Sequence, residues 1–473
     1  MGLDWKVFQN TINGKQETTQ QKRHGVNPAT GENGPEVPVS TKEEVDRAMK
    51  AAADAFESWS EVPWEERKKA VLAYADGLEA EKENFAQELT KEQGKPLAFA
   101  RAEVDAALHW IRTVATLELP EETVTEGDKE IVVRFTPLGV TVGIVPWNFP
   151  IQLAVGKIAP SVLTGNPIIV KPSPFTPACG LKLAELAQQY FPPGVVQGLS
   201  GGDDLGPMLT SHPTPAKISF TGSTFTGKKV MESASKTLKR VTLELGGNDP
   251  AVILDDVNID EIAQKVAGLA FLNSGQICIA LKRIFVQESI ADKFLEAMVK
   301  ATKNFKVGPG TEPDVYLGPI QNKMQYERVK GFFTDIEKEN WKVAVGGKNP
   351  DGPGYFITPT IIDRPDENSR IVTEEPFGPI VPFLTFNTDA DGIKKANDTS
   401  MGLGASVWSS DLERAAKVAR KIRAGNVWVN AHLELDPRFP FSGHKESGIG
   451  SEWGITGLKA YCNTQTLYLK RKE

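Results

Sequence analysis

Cys278 lies in Phe271-Leu-Asn-Ser-Gly-Gln-Ile-Cys-Ile-Ala280, where glycine and small polar residues lead into a thiol. It is one of three cysteines, with Cys179 and Cys462, and no second cysteine or histidine stands near it as a metal ligand or a base. A carboxylate, Glu244, lies upstream in Val241-Thr-Leu-Glu-Leu-Gly-Gly-Asn248. A lone thiol and a lone carboxylate suggest a covalent step on sulfur followed by hydrolysis. A buried structural cysteine is the commoner case for an arbitrary thiol, and a surface glutamate the commoner case for an arbitrary glutamate, so the surrounding elements must decide.

A third candidate is Asn148. Leu138-Gly-Val-Thr-Val-Gly-Ile-Val145 reads as a strand that runs into Pro146-Trp-Asn-Phe-Pro150. Ligands bind at the carboxyl ends of strands in open α/β sheets, and a side-chain amide there can donate to a developing oxyanion. Taken alone, a turn asparagine satisfying its own backbone explains the residue as well. Phe220-Thr-Gly-Ser-Thr-Phe-Thr-Gly-Lys228 follows a strand and opens a helix, so Gly222 and Ser223 offer a phosphate a close approach and free amides. Its spacing is neither GxGxxG nor GxxxxGK[ST], and an ordinary tight turn competes. Lys171 ends the strand Asn166-Pro-Ile-Ile-Val-Lys-Pro172, placed either for a ribose or for solvent. Glu374-Glu-Pro-Phe-Gly-Pro379 is a rigid acidic and aromatic loop, suited to a sugar hydroxyl or to a simple turn.

The elements that must hold these residues alternate. Residues 42–115 read as helices, with Thr41 and Glu44 as a capping box for the first. Strands and helices then alternate at βαβ spacing from Leu138 to Thr221 and again after Gly247, which predicts parallel sheets. Strands are expected at 251–254, 281–286 and 380–386, with a further buried strand at 425–430. Helices are expected at 259–271, 288–305, 322–339 and 412–422.

With 473 residues, two or three domains are expected. A formal charge of −7 argues against nucleic-acid binding, because no basic stripe offsets the negative field. No CxxC or Cys/His cluster points to a metal. The apolar run from Leu138 to Val145 stops well short of a membrane span, and the N-terminus carries no apolar signal core, so a cytoplasmic location without a membrane role is expected.

Taken in order, the motifs resemble the aldehyde dehydrogenase superfamily from about residue 20 onward: Pro146-Trp-Asn-Phe-Pro150, Lys171-Pro-Ser-Pro174, Phe220-Thr-Gly-Ser-Thr224 with Gly227, Leu243-Glu-Leu-Gly-Gly247, Gly275-Gln-Ile-Cys278, Glu375-Pro-Phe-Gly-Pro379, and Pro440-Phe-Ser-Gly-His-Lys445 with Ser447-Gly448. The resemblance implies an α/β fold of two parallel-sheet, Rossmann-related domains with a β-strand arm. Residues 1–118 and 138–246 would bind the dinucleotide, 247–448 would form the catalytic domain, and 119–137 with 449–473 the arm of a homodimer or homotetramer.

It further implies NAD(P)-dependent oxidation of an aldehyde to its acid. Cys278 is the implied nucleophile, Glu244 the base for water, and Asn148 with the Cys278 N–H the oxyanion donors. Trp147 and Ser223 match positions near the pyrophosphate, Lys171 and Glu375 those at the two riboses, and Phe377 a position beside the nicotinamide ribose. Pro174 departs from the glutamate of many NAD-preferring relatives, which leaves either NAD or NADP as the cofactor. Phe149, Leu153, Ile277, Ile279 and Phe441 match substrate-tunnel positions, and Gly156 is expected to leave extra room where relatives carry an aromatic. This set favours an apolar aliphatic or aromatic aldehyde, while His432 and Arg438 near the mouth leave an opening for a polar one. The competing readings are a coenzyme A-acylating dehydrogenase and a catalytically silent binding or structural protein on the same fold.

Overall fold

The computed structural model describes residues 2–349 and 352–470. Residue 1 and residues 471–473, the extremes of the expected first domain and arm, lie outside the described residues.

Asn13 and Gly14 both have positive φ, 48° and 78°. They join the strands Asn10–Ile12 and Lys15–Glu17 in a two-residue hairpin, as an Asn-Gly pair favours. This hairpin is the edge of an eight-stranded sheet. After it come Val196–Gly198, Ile168–Lys171, Thr141–Ile144, Lys217–Thr221 and Arg240–Glu244, all mutually parallel. Their cores are short, β-branched and buried on both faces, the pattern of a sheet covered by helices. The short strand Gly448–Ile449 closes the far edge, antiparallel to the strand that ends in Glu244.

Helices cover this sheet. Lys42–Trp59 starts at Thr41, whose side chain accepts from the Glu43 N–H while the Glu44 carboxylate accepts from the Thr41 N–H at 2.8 Å, the expected capping box. Trp64–Ala80, Lys82–Gln93 and Leu97–Val114 pack with Pro150–Leu163 and Ala178–Ala187 into one apolar core. The helical first third is therefore continuous with the first sheet's layer and does not form a unit of its own.

A second, seven-stranded sheet has Leu281–Gln287 at its centre, with Asp249–Ile253 and then Gly404–Trp408 on one side. Ile380–Phe386 and Thr360–Asp363 extend it in parallel, and Val343–Val345 adds an antiparallel edge. Asn426–Val429, expected as a buried strand, is instead the opposite edge and only half-buried. Neither Thr360–Asp363 nor Gly404–Trp408 is foreseen above. Both are short, and the second carries glycine, alanine and serine, so its strand character comes from register with a buried neighbour more than from propensity.

A third sheet stands apart. Lys129–Pro137 pairs along its whole length with Cys462–Lys470 and, on its other side, with Glu122–Glu126. Val124 and Tyr468 are 61% and 74% exposed on it. Among the described residues, no helix is long and apolar enough to cross a membrane.

Candidate active site

Three loops meet between the two large sheets. The first leaves the strand Thr141–Ile144 and carries Trp147, Asn148 and Phe149 into the helix Pro150–Leu163. The second is the end of Arg240–Glu244, followed by Gly246 and Gly247. The third is the turn at Ile277–Ala280 that leads into Leu281–Gln287. Its approach is tight: Asn273 and Ser274 have φ of 50° and 57° and Gly275 has φ of 70°, and a Cβ at Gly275 would lie 2.3 Å from the Gly378 carbonyl oxygen. Only glycine fits that crossing.

The Cys278 thiol donates to Glu244 Oε1 at 3.1 Å. Glu244 is buried and Cys278 half-buried at the cavity floor. Burial raises the Glu244 carboxyl pKa, opposed by the hydrogen bond from Cys278 and the charge of Lys157. Burial, followed by the neighbouring Glu244 charge, raises the Cys278 thiol well above its ordinary value, and the Lys282 charge opposes this. A thiolate beside an ionised glutamate is thus disfavoured, and the thiol ionises most readily by passing its proton to Glu244.

Asn148 is buried, and its Nδ2 donates to the Gln276 carbonyl at 3.0 Å. A primary amide has two N–H groups, so this bond fixes one and leaves the other to the cavity. The backbone of Asn148 is also held, since Lys95 Nζ donates to its carbonyl at 2.9 Å. Lys95 belongs to a buried ion pair with Glu103, whose Oε1 accepts from the N–H groups of Ile151 at 2.9 Å and Gln152 at 3.2 Å. The pair clamps the turn to the helix that follows. Neither residue is singled out above, because a lysine and a glutamate eight positions apart carry no motif on their own.

A cavity of about 410 Å³ opens in front of these groups. Asn148, Phe149, Leu153, Glu244, Ile277, Cys278, Ile279 and Phe441 line it. Trp110, Trp453, Leu433 and Leu435 add to the wall, as do Phe99 and the polar His109 and Gln152, and these are not anticipated from sequence. Gly156 does not line it, which corrects the expectation of extra room. A Cβ at Gly156 would lie 3.3 Å from Trp110 Cζ3 and 3.5 Å from Trp453 Nε1, so the two indoles already occupy the space. His432 is likewise not a tunnel-mouth charge. It is buried behind the cysteine turn, its Nε2 meets the Ile279 carbonyl at 2.6 Å, and burial lowers its pKa to about 3. Arg438 is tied to Asp436 at 3.0 Å.

The remaining candidates do not line this cavity. Trp147 and Phe377 meet edge to face with centroids 5.3 Å apart. Glu375 pairs with Lys282 at 3.0 Å and accepts from the Gly247 N–H at 3.2 Å. Lys171 is buried at its strand end, where among the described residues its ammonium makes one hydrogen bond, a long 3.5 Å contact to the Pro172 carbonyl, and burial lowers its pKa to about 8. Ser223 caps the helix Thr224–Ser235, its Oγ accepting from the Thr226 N–H at 3.2 Å.

A doubly layered pair of parallel sheets, a cleft between them and a thiol–carboxylate pair at its base define an α/β enzyme of covalent thiol chemistry. The family model for the aldehyde dehydrogenase family matches residues 15–467, and the chain belongs to that family. It is 41% identical over 467 residues to a putative aldehyde dehydrogenase of Gibberella fujikuroi, spanning 99% of this chain and all of that one. It is 35% identical over 459 residues to the phenylacetaldehyde dehydrogenase of Pseudomonas fluorescens, spanning 94% and 91%. A crystal structure of a betaine aldehyde dehydrogenase point mutant from Staphylococcus aureus, in complex with NAD+, superposes with a TM-score of 0.95 at 34% identity over 98% of each chain. The fold is that of the family, and the protein is an oxidoreductase that converts an aldehyde to its carboxylic acid.

Proposed function

We propose that Cys278 is the nucleophile of this oxidation, Glu244 its base, and Asn148 with the Cys278 N–H the oxyanion donors. The observation that carries the assignment is the 3.1 Å contact of Cys278 Sγ with Glu244 at the floor of a cavity into which Asn148 presents its amide. Glu244 takes the thiol proton as sulfur attacks the aldehyde carbon. The new oxyanion faces the free Asn148 N–H and the Cys278 N–H. Loss of hydride from the tetrahedral carbon leaves a thioester on Cys278. Glu244 releases that proton to solvent and then takes one from the water that adds to the thioester; the tetrahedral carbon collapses to the acid, and Glu244 returns its proton to the departing sulfur.

NAD(P), when bound, supplies the acceptor for that hydride. The residues present fit it. Lys171 is a buried ammonium with, among the described residues, only a long contact to a carbonyl, and Ser223 opens a helix at a strand end. Arg23, whose charge acts on Lys171, leaves its buried Nε without a partner among the described residues. Trp147, Lys171, Ser223, Glu375 and Phe377 are the assigned contacts. Two cations, opposed by the charge of Asp203, and the uncharged Pro174 are assigned to the adenosine end, which supports use of NADP beside NAD. Installing Pro174→Glu is expected to lower NADP efficiency relative to NAD.

The apolar, tryptophan-rich wall supports an apolar aliphatic or aromatic aldehyde as substrate. Relatives at similar identity act on phenylacetaldehyde and, in Mus musculus, on 4-trimethylaminobutyraldehyde, so the wall is the basis of this choice. We assign residues 1–118 and 138–246 to the cofactor domain, 247–448 to the catalytic domain, and 119–137 with 449–473 to an oligomerisation arm. The exposed apolar side chains on the third sheet support a homodimer or homotetramer in the cytoplasm, where a free thiol stays reduced. NAD(P)H absorbance with an aldehyde panel, with and without coenzyme A, tests the function. Formation of free acid without coenzyme A is expected. Turnover only with coenzyme A would make the protein an acylating dehydrogenase, and none with any aldehyde would refute the assignment.

A further inference from the structure

Lys282 begins the strand Leu281–Gln287, and its side chain, 4% exposed, folds back behind the cysteine turn. The ammonium donates to the carbonyls of Ile277 at 2.8 Å and Cys278 at 2.6 Å and pairs with Glu375 at 3.0 Å. Three donors meet three acceptors. Lys282 does not line the cavity, whereas Cys278 does, so the lysine grips the turn from its rear.

The geometry points to Lys282 as a positioning residue that aims the Cys278 N–H into the cavity and so builds the backbone half of the oxyanion pocket. In a trans peptide the carbonyl of one residue and the N–H of the next point in opposite directions within one plane. Holding the Ile277 carbonyl to the rear therefore turns the Cys278 N–H to the front. The Ala280 N–H reaches the same carbonyl at 3.1 Å, so both lone pairs of that oxygen are engaged. His432 holds the Ile279 carbonyl at 2.6 Å. Three consecutive carbonyls of the turn are thus restrained by buried side chains. Among the described residues nothing accepts from the Cys278 N–H, which leaves it for the substrate oxygen. Without the lysine, the peptide between Ile277 and Cys278 is free to rotate, replacing a donor by a carbonyl where negative charge develops.

This role rests on the reading of Cys278 as nucleophile, and the test separates the two. Lys282→Met and Lys282→Gln are compared with the unaltered protein by single-turnover NAD(P)H formation and by iodoacetamide alkylation of Cys278 across pH. Alkylation needs the thiolate and no oxyanion donor. The methionine variant is expected to lose about a hundredfold in the first turnover, the usual cost of one oxyanion donor. Its alkylation rate at the high-pH plateau is expected to be unchanged, even as loss of the positive charge moves the profile to higher pH. Glutamine, with one amide nitrogen for three acceptors, is expected to be slowed less. An unaltered first-turnover rate in either variant that melts cooperatively would overturn the proposal. So would an alkylation plateau that falls in proportion to turnover, since that reports a collapsed turn. Absence of NAD(P)H formation in the unaltered protein with every aldehyde would instead refute the function.

Discussion

The two ends of the cavity are built differently. At the reactive end, three polar side chains stand on strand ends or short turns, and buried ion pairs hold the backbone beneath them. Lys95 with Glu103 holds the Asn148 turn, and Lys282 with Glu375 holds the Cys278 turn. At the other end, the wall is aromatic and aliphatic, and the buried pair beside it, Lys157 with Glu452 at 3.2 Å, bonds the Ser219 side chain and not the backbone under the wall. Trp453 packs on Trp110 and Phe441 with centroids 4.0 Å and 4.6 Å away. A buried charge pair is a weak source of stability, because desolvation offsets much of its attraction, but it fixes the directions of the groups it bonds. An apolar wall is fixed only by packing and accommodates changes of shape more readily. The reactive end is therefore expected to be intolerant of small changes and the wall to be adjustable.

The sharpest break is at sulfur. Cys278→Ala is expected to abolish aldehyde oxidation while cofactor binding, followed by quenching of protein fluorescence, persists. Turnover comparable to the unaltered protein would remove Cys278 from the chemistry.

Glu244→Gln separates the two halves of the reaction. With the Glu244 charge gone the thiol ionises to solvent instead, so the first hydride transfer is expected to proceed and deacylation, which needs a base for water, to stall, giving a burst of NAD(P)H and a slow steady state in rapid mixing. The variant also tests the 3.1 Å contact. Glu244 raises the Cys278 thiol pKa through its negative charge and its hydrogen bond, so a neutral glutamine should lower it. The pH profile of iodoacetamide alkylation is expected to move to lower pH. A shift to higher pH would mean that Glu244 chiefly assists ionisation of the thiol.

Asn148→Ala is the third break. Loss of one oxyanion donor is worth about 3 kcal/mol, or roughly a hundredfold in rate. The decrease should fall on the maximal rate and leave cofactor affinity and Cys278 alkylation alone. An unchanged maximal rate would refute the role.

The same contrast explains what the sequence reveals. Chemistry at strand ends is written in contiguous residues, so Pro146-Trp-Asn-Phe-Pro150 and Gly275-Gln-Ile-Cys278 are legible before any fold is known. The βαβ rhythm is legible too, because burial on both faces leaves unbroken apolar strands. The supports are not. Lys95 meets Asn148 across 53 positions and Gln276 meets it across 128, and nothing local marks either partner. The Asn13-Gly14 hairpin carries a local turn signal, but its two strands are three residues each, the second wholly polar, so no alternation marks them. Glu244 and Cys278 are separately visible, but their contact depends on the packing of one sheet against the other.

The smallest expected effect is at the wall, and Gly156 is its key. The glycine lets Trp110 and Trp453 pack directly on the helix Pro150–Leu163. In this chain the bulk that limits the tunnel comes from those two indoles. Trp110→Phe is expected to enlarge the cavity and shift the ratio of catalytic efficiencies toward bulkier aldehydes by about tenfold, since one methylene in an apolar pocket is worth roughly that much. The enlarged cavity should also cost stability, about 1–2 kcal/mol by analogy with other large-to-small changes. Gly156→Ala should act in the opposite sense, because its Cβ would lie 3.3 Å from Trp110 Cζ3, tighter than ordinary contact, and displace that ring, while Trp453 Nε1 at 3.5 Å stays in normal contact. Efficiencies for a short aliphatic and a phenyl-substituted aldehyde, measured for both variants, check this. Equal ratios in both variants and the unaltered protein would mean that the indoles do not bound the substrate, and that selection lies with Phe149, Leu153 and Phe441 nearer the sulfur.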